Sequence, residues 1–287
     1  FRITRSTLDY PSRKMQLLHA IQNGQLEPDN STVRALFHSL VSRQGERWQF
    51  FGEDPQSYTD LLIIGRQELL RQGLGRKISD EVIARHRNRL ERYGRESDAW
   101  LTTWQSLRIH EGAEDTLLLL DDSIAGDLQR SRRGIGTIIA NAGLQFADIA
   151  IVVPGTELLF HGLLDQVREH WRTLVETWNG AGIRRVVCAS PALTTILTEY
   201  LPKIGVHPTF FIQDLLEYAP AIRLPSQSIV YAGAFYTRYL MLSNKINELV
   251  GKSAPMNEVS LLEPVLVPLY DVVGFDDSVI EAVLSDG

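Results

Sequence analysis

The feature of this sequence that most constrains its fold is an unbroken apolar run from Thr116 to Leu120 that ends in Asp121 and Asp122. An apolar run without polar alternation is typical of a strand that is buried on both faces of a parallel sheet. Further short apolar runs, separated by amphipathic stretches, lie at 149–153, 185–188, 209–212 and 227–231. Strands that alternate with helices indicate βαβ units, so we predict an α/β fold with parallel sheets for this part of the chain.

The residues before this run have the pattern of helices. Apolar residues recur at helical spacing in 12–23, 31–40, 57–72 and 79–93, and glycines or polar caps separate these segments. We therefore predict an all-helical domain over residues 1–112. A weak internal repeat, strand then turn then helix at 116–124 and 228–236, divides the remainder into two similar α/β repeats, 113–225 and 226–287.

Composition excludes several classes of protein. The formal charge of −6 does not favour a general nucleic-acid surface, which needs a net basic face. No apolar run reaches the roughly 18–20 residues of a membrane helix. The single cysteine, Cys188, fits a reducing compartment, and we predict a cytoplasmic protein. The chain begins at Phe1 and stops directly after the helix-like stretch 277–284, which suggests that it is part of a larger product.

One segment of the sequence resembles a known protein family. The stretch from Arg185 to Pro202, followed by Gly205 and by Phe211–Leu216, resembles the CCG-domain iron–sulfur oxidoreductases in their fused form. This group includes the catalytic subunits of heterodisulfide reductases. The resemblance implies a helical ferredoxin-like module followed by two related α/β (CCG-like) repeats, whose cysteines hold the clusters.

The cysteines that this resemblance implies are missing. In the helical module, the matching positions are Ser39, Ser42, Gly45 and Gln49. In the α/β repeats they are Ser123, Val153, Pro154, Ser190, Leu193 and Phe235. An iron–sulfur cubane needs about four thiolates, so we predict that the clusters, and with them any cofactor or metal of this chain, have been lost.

Several polar residues are candidates for a crevice between the two α/β repeats. They are Asp121, Asp122, His161, Cys188, Ser190 and Tyr231. Ligands in open α/β sheets bind at the carboxyl ends of the strands, but each residue also has a structural interpretation. The two aspartates are either an acid–base pair or caps of the following turn. Cys188 is either a nucleophile or a small buried apolar residue.

A basic stretch over residues 85–95 is a further candidate. It contains five arginines and one histidine: Arg85, His86, Arg87, Arg89, Arg92 and Arg95. Such a stretch is either a solvated helix face or a docking patch for an acidic partner.

The chain resembles this family but lacks the cysteines that would bind its clusters. We therefore predict a non-catalytic structural or assembly subunit of a cytoplasmic heterodisulfide-reductase-like electron-transfer complex. Its partners would be flavin or iron–sulfur subunits, in a setting such as sulfur metabolism. The alternative is a repurposed enzyme or small-molecule-binding protein that uses the crevice between the α/β halves.

Overall fold

The computed structural model describes residues 11–37, 57–107, 115–127, 131–222, 230–250 and 256–257, and the single positions 41, 43 and 46. They form two compact units. The first contains the described residues up to His86 and the segment Thr156–Leu164; the second contains those of Arg87–Gly155 and Asp165–Glu258. The predicted domain boundaries, after residues 112 and 225, separate three modules and are not tested by these two units. They stay a prediction.

Helices make up most of the described chain. They are α1 (Pro11–Gln22), α2 (Asn30–Phe37), α3 (Tyr58–Arg71), α4 (Arg76–Gln105), α5 (Asp122–Gly126), α6 (Ser131–Ala142), α7 (Thr156–Phe160), α8 (Leu164–Gly180), α9 (Pro191–Thr195), α10 (Leu201–Lys203) and α11 (Ser243–Val250). Two π-helical turns, Ile196–Tyr200 and Phe235–Tyr239, and a 3₁₀ turn, Leu215–Tyr218, join them. The strands are β1 (Thr116–Asp121), β2 (Asp148–Val152), β3 (Arg185–Cys188), β4 (Phe211–Asp214), β5 (Val230–Tyr231) and β6 (Met256–Asn257).

In the first unit, α3 packs closely against α1. Ser57 caps α3, because its hydroxyl accepts a hydrogen bond from the Asp60 N–H at 3.2 Å. A Cβ atom at Gly65 would lie 2.5 Å from the Leu18 side chain. The absence of a side chain at Gly65 therefore permits this approach of the two helices.

Helix α4 is longer than the sequence predicts. The pattern predicts a helix over 79–93, whereas α4 runs from Arg76 to Gln105. Trp100 and Trp104, one turn apart, are buried in the core of the second unit, and the Trp104 indole donates to the Ala125 carbonyl at 3.1 Å. This packing extends the helix, since tertiary contacts stabilise helices more than propensity does. No described helix, α4 included, is both long and apolar enough to cross a bilayer.

The second unit is built on a parallel sheet with the strand order β2-β1-β3-β4. Its central strand β1 is buried over its whole length, as the apolar run predicts. The strand order reverses between β1 and β3, which makes this the topological switch point of the sheet. The structure confirms the α/β class with a parallel sheet; a second, two-stranded parallel sheet pairs β5 with β6. The presence of two CCG-like repeats stays a prediction.

The apolar spacing of the sequence also predicts a helix over 238–250, and this prediction is wrong in its first part. The chain forms the π-helical turn Phe235–Tyr239, and α11 begins only at Ser243. Met241 lies between them with a φ of 55°, a left-handed conformation that interrupts a helix. The sequence further predicts a last strand at 265–267 and a last helix at 277–284, and both segments lie outside the described residues.

Candidate functional site

The carboxyl edge of the four-stranded sheet brings together four of the predicted crevice residues. Asp121 ends β1, Asp122 opens α5, Cys188 ends β3 and Ser190 precedes α9. Since β1 and β3 are adjacent and parallel, these residues lie at the same edge, at the switch point. The described residues also place Asp214 there, at the end of β4.

Asp121 caps a helix. Its Oδ1 accepts hydrogen bonds from the Ile124 N–H at 2.8 Å and from the Ser123 hydroxyl at 2.6 Å. The bond from Ile124 satisfies a backbone N–H at the start of α5 that has no partner within the helix. The capping interpretation of this residue therefore accounts for its carboxylate.

Asp122 is bound by arginines of α4. Its side chain is 1% exposed, and its carboxylate accepts from Arg89 Nη2 at 2.5 Å and from Arg89 Nε at 3.2 Å. Arg92 lies 3.6 Å away. Arg89 thus binds a buried carboxylate of the same chain in the bidentate geometry that arginine favours. Arg92, also from the basic stretch, adds a second positive charge beside it.

Cys188 has the environment of a structural residue. Its thiol is fully buried. Burial, and then the nearby Asp214 charge, raise the pKa of this thiol well above its usual range. A thiol must ionise to act as a nucleophile, so this environment disfavours nucleophilic chemistry.

Asp214 is the carboxyl group at this edge that the sequence analysis missed. It accepts from the Thr194 hydroxyl at 2.7 Å, from the Leu216 N–H at 2.9 Å and from Tyr236. Burial raises the pKa of Asp214 to about 6, although these hydrogen bonds lower it. A signal was present, because Glu217 follows three residues later and completes a capping box with Asp214.

Ser190 directly precedes α9, the helix that carries Thr194, whose hydroxyl donates to Asp214. The Ser190 hydroxyl makes no capping hydrogen bond to the helix, while its carbonyl accepts from the Thr194 hydroxyl at 3.2 Å.

Helix α9 also packs against the π-helical turn Phe235–Tyr239. The rings of Tyr200 and Tyr239, one from each π-helical turn, lie 6.4 Å apart. Turns of this kind are frequent at functional sites.

His161 lies in the first unit. It is 2% exposed and stacks on Phe37 with a centroid distance of 6.3 Å. Its Nδ1 donates to the Glu157 carbonyl at 2.9 Å, and its Nε2 has no partner among the described residues. Burial, and then the Arg66 charge, lower the pKa of His161 to about 3, so the imidazole is neutral at physiological pH.

Two further buried groups lie near His161: the pair of His86 and Glu157, and the guanidinium of Arg66. Their contacts were not predicted from the sequence. His86 Nδ1 and Glu157 Oε1 are 2.8 Å apart. Arg66, 1% exposed, donates to the carbonyls of Leu36, Phe37 and Phe160. Its guanidinium thereby caps the carboxyl ends of α2 and α7, and burial lowers its pKa to about 10. An arginine on the otherwise apolar face of α3 was the available signal.

The positions that match the family's ligands have different environments. Ser123 is exposed, whereas the others in the α/β part are buried: Val153, Pro154, Ser190, Leu193 and Phe235. Outside the described residues lie Ser39, Ser42, Gly45 and Gln49, together with the side chain of Tyr231. Within the described ranges, no three His, Cys, Asp or Glu side chains are grouped so that they could hold a metal ion.

No protein-family model, curated protein or solved structure matches the chain.

Proposed function

We propose that this chain is a non-catalytic structural subunit of a cytoplasmic electron-transfer complex of the heterodisulfide-reductase-like kind. The observation that carries the proposal is the burial of Val153, Leu193 and Phe235, three positions that match cluster ligands in the family it resembles. Apolar side chains at these positions contribute to a packed core. The scaffold is thereby stabilised by packing where the family would use metal ligands.

The polar groups at the sheet edge support the same proposal. Asp121 serves as a cap, Asp122 is bound by Arg89 and Arg92, and the Cys188 thiol is held protonated by burial. Groups with these structural roles are poorly placed for chemistry on a substrate. A scaffold that keeps its core and changes its ligands is suited to function through its surface.

The proposal is tested by anaerobic purification of the native complex from its source under gentle conditions, with mass spectrometry of the bound proteins. We expect flavin or iron–sulfur subunits in a fixed ratio to this chain. Iron and acid-labile sulfide should be found in those subunits and not in this chain after it is separated under native conditions. Recovery of the chain alone, as a stable monomer, contradicts the proposal.

A second candidate function, small-molecule binding at the sheet edge, is favoured by one observation. Asp214 is a buried carboxyl group with a pKa of about 6, and it lies at the carboxyl end of a strand beside Thr194 and Tyr236. Groups with such shifts are common at binding and catalytic sites. If this function holds, the purified chain carries a bound small molecule that is released by Asp214→Asn, and it is stable without partners.

A further inference from the structure

Strand β2 lies at one end of the sheet order, and its outer edge lies in a cleft of about 260 Å³. Side chains of helices α4 and α8 line this cleft. The lining side chains are Tyr93, Ser97, Asp98 and Leu101 from α4, and Leu174 and Trp178 from α8. Residues 149–152 of β2 line it as well.

The hydrogen bonds within the sheet establish which backbone groups of β2 point into the cleft. The Thr116 carbonyl accepts from the Ala147 N–H, so the even-numbered residues of β1 face β2. In a parallel ladder, a residue that faces its neighbour bonds to the two residues that flank its Cα partner. The Cα partners of Leu118 and Leu120 are Ile149 and Ile151, whose own N–H and C=O groups therefore point outward.

Two of these four outward groups are bound by side chains. The Ile149 N–H donates to Asp148 Oδ1 at 2.9 Å, and the Ile151 carbonyl accepts from the Tyr93 hydroxyl at 2.9 Å. Such contacts protect a sheet edge against unspecific pairing. Within the described part of the chain, the Ile149 carbonyl and the Ile151 N–H have no side-chain hydrogen-bond partner.

The two remaining groups select the direction of a strand that could pair here. An antiparallel strand exchanges both the N–H and the C=O of one residue, and each outward residue has one of these groups occupied. A parallel strand instead places one residue opposite Ala150. That residue donates to the Ile149 carbonyl and accepts from the Ile151 N–H, which are the two groups left open.

The side chains of the cleft select the chemistry of the occupant. Leu101, Leu174 and Trp178 offer apolar contacts, whereas Asp98 is exposed and acidic. Burial, and then the Asp98 charge, raise the pKa of the Tyr93 phenol in the same cleft. The chain carries a net charge of −6, which attracts a basic partner.

We propose that this cleft binds an extended, basic segment of a partner protein, which adds to β2 as a further parallel strand. Backbone hydrogen bonds would provide the affinity, and Asp98 with the apolar walls would provide the selection of side chains. This inference rests on the proposed function, since it names the surface and the chemistry through which the subunit meets a partner.

The probe for the test is a synthetic seven-residue peptide of alternating threonine and valine with a lysine at each end. We expect it to slow hydrogen exchange of the Ile151 amide by about tenfold at saturation. The Ala150 amide faces β1 and should not change. A nitroxide at the amino end of the peptide should broaden the resonances of Asp148 more than those of Val152, because the added strand is parallel.

A matched pair of variants tests the charge. Asp98→Lys should weaken binding of the peptide by about tenfold, whereas Glu91→Lys, an exposed residue of the same helix outside the cleft, should not. A peptide that is N-methylated at its central amide should not protect Ile151. The proposal is overturned if the Ile151 amide is unaffected, or if the nitroxide reports an antiparallel strand. It is also overturned if the protein dimerises and Asp98→Lys abolishes the dimer, because the occupant is then a second copy.

The native complex separates failure of this inference from failure of the proposed function. If partner subunits co-purify equally well with wild type and Asp98→Lys, the docking surface is wrong and the proposed function stands. If the peptide binds as expected but the chain is recovered without partners, the proposed function is wrong and the cleft remains a peptide-binding surface.

Discussion

The Asp122 carboxylate and the Arg89 guanidinium, 33 residues apart in the chain, form a two-pronged ion pair with Nη2–Oδ1 and Nε–Oδ2 distances of 2.5 and 3.2 Å. The acid is 1% exposed and the base 27% exposed. This asymmetry determines which substitution destabilises the protein more, because an unpaired charge costs most where water cannot reach it.

We expect Arg89→Met to lower the free energy of unfolding by about 3 kcal/mol, since it removes the main partner of a buried carboxylate. Asp122→Asn should cost less, because the Arg89 guanidinium, which loses this carboxylate, is partly exposed to water. Urea denaturation of both variants and of the double variant measures the difference. Equal losses for the two single variants would show that the pair is screened by solvent.

The buried imidazole of His161 predicts a loss of stability in acid. Its pKa is about 3 in the folded protein and 6.5 in the unfolded chain, so the unfolded chain binds a proton that the folded protein does not. Its contribution to stability is complete above pH 6.5 and is lost as the pH falls toward 3, at about 1.4 kcal/mol per pH unit. We expect His161→Phe, which keeps a ring beside Phe37, to reduce the slope of unfolding free energy between pH 6 and 4. An unchanged slope would contradict the assignment.

The carboxyl group of Asp214 predicts the opposite dependence on pH. Because its folded pKa of about 6 exceeds its ordinary value of 3.8, its contribution to stability is present below pH 3.8 and is lost as the pH rises through 6. Asp214→Asn should therefore stabilise the protein at pH 8 by on the order of 2 kcal/mol, with no gain at pH 4. The amide can still accept from the Leu216 N–H and can donate to the Thr194 hydroxyl. Thermal unfolding at the two pH values is the measurement, and a variant that is less stable at pH 8 refutes the sign.

The thiol of Cys188 should be unreactive in the native protein. Burial holds it protonated, so a disulfide reagent such as Ellman's reagent should label it only after unfolding in urea. Cys188→Ala should lower the free energy of unfolding by about 1 kcal/mol, the cost of a small cavity. Rapid labelling of the folded protein would instead support a reactive cysteine.

Among the described glycines of the first unit, Gly162 is predicted to be the most sensitive to substitution. Its φ is +78°, and an added Cβ would lie 2.5 Å from the Gln67 backbone nitrogen, so Gly162→Ala should cost more than about 3 kcal/mol. Gly24 is the matched control, with a φ of +67° and no atom within 4 Å of an added Cβ. Gly24→Ala should cost only about 1–2 kcal/mol of backbone strain. Denaturation of both variants, monitored in the first unit by hydrogen exchange, gives the comparison.

The sequence alone determined the elements whose signal is local. The apolar run at 116–120 predicts β1, and the segment 57–72 predicts α3 within one residue at each end. Hydrophobic periodicity and capping residues act over a few positions, so they can be read without knowledge of the fold. The alternation of such elements is also sufficient to predict a parallel α/β sheet, and with it the shared edge of Asp121 and Ser190.

The tertiary structure decided which partner each polar group has. The basic stretch does not reveal that Arg89 binds Asp122, and nothing local shows that Arg66 caps helices on either side of it in the chain. Packing also extended α4 as far as Gln105, where Trp100 and Trp104 are buried. The reason is physical: burial, electrostatic pairing and pKa depend on groups that are close in space and distant in sequence, and no periodicity encodes those distances.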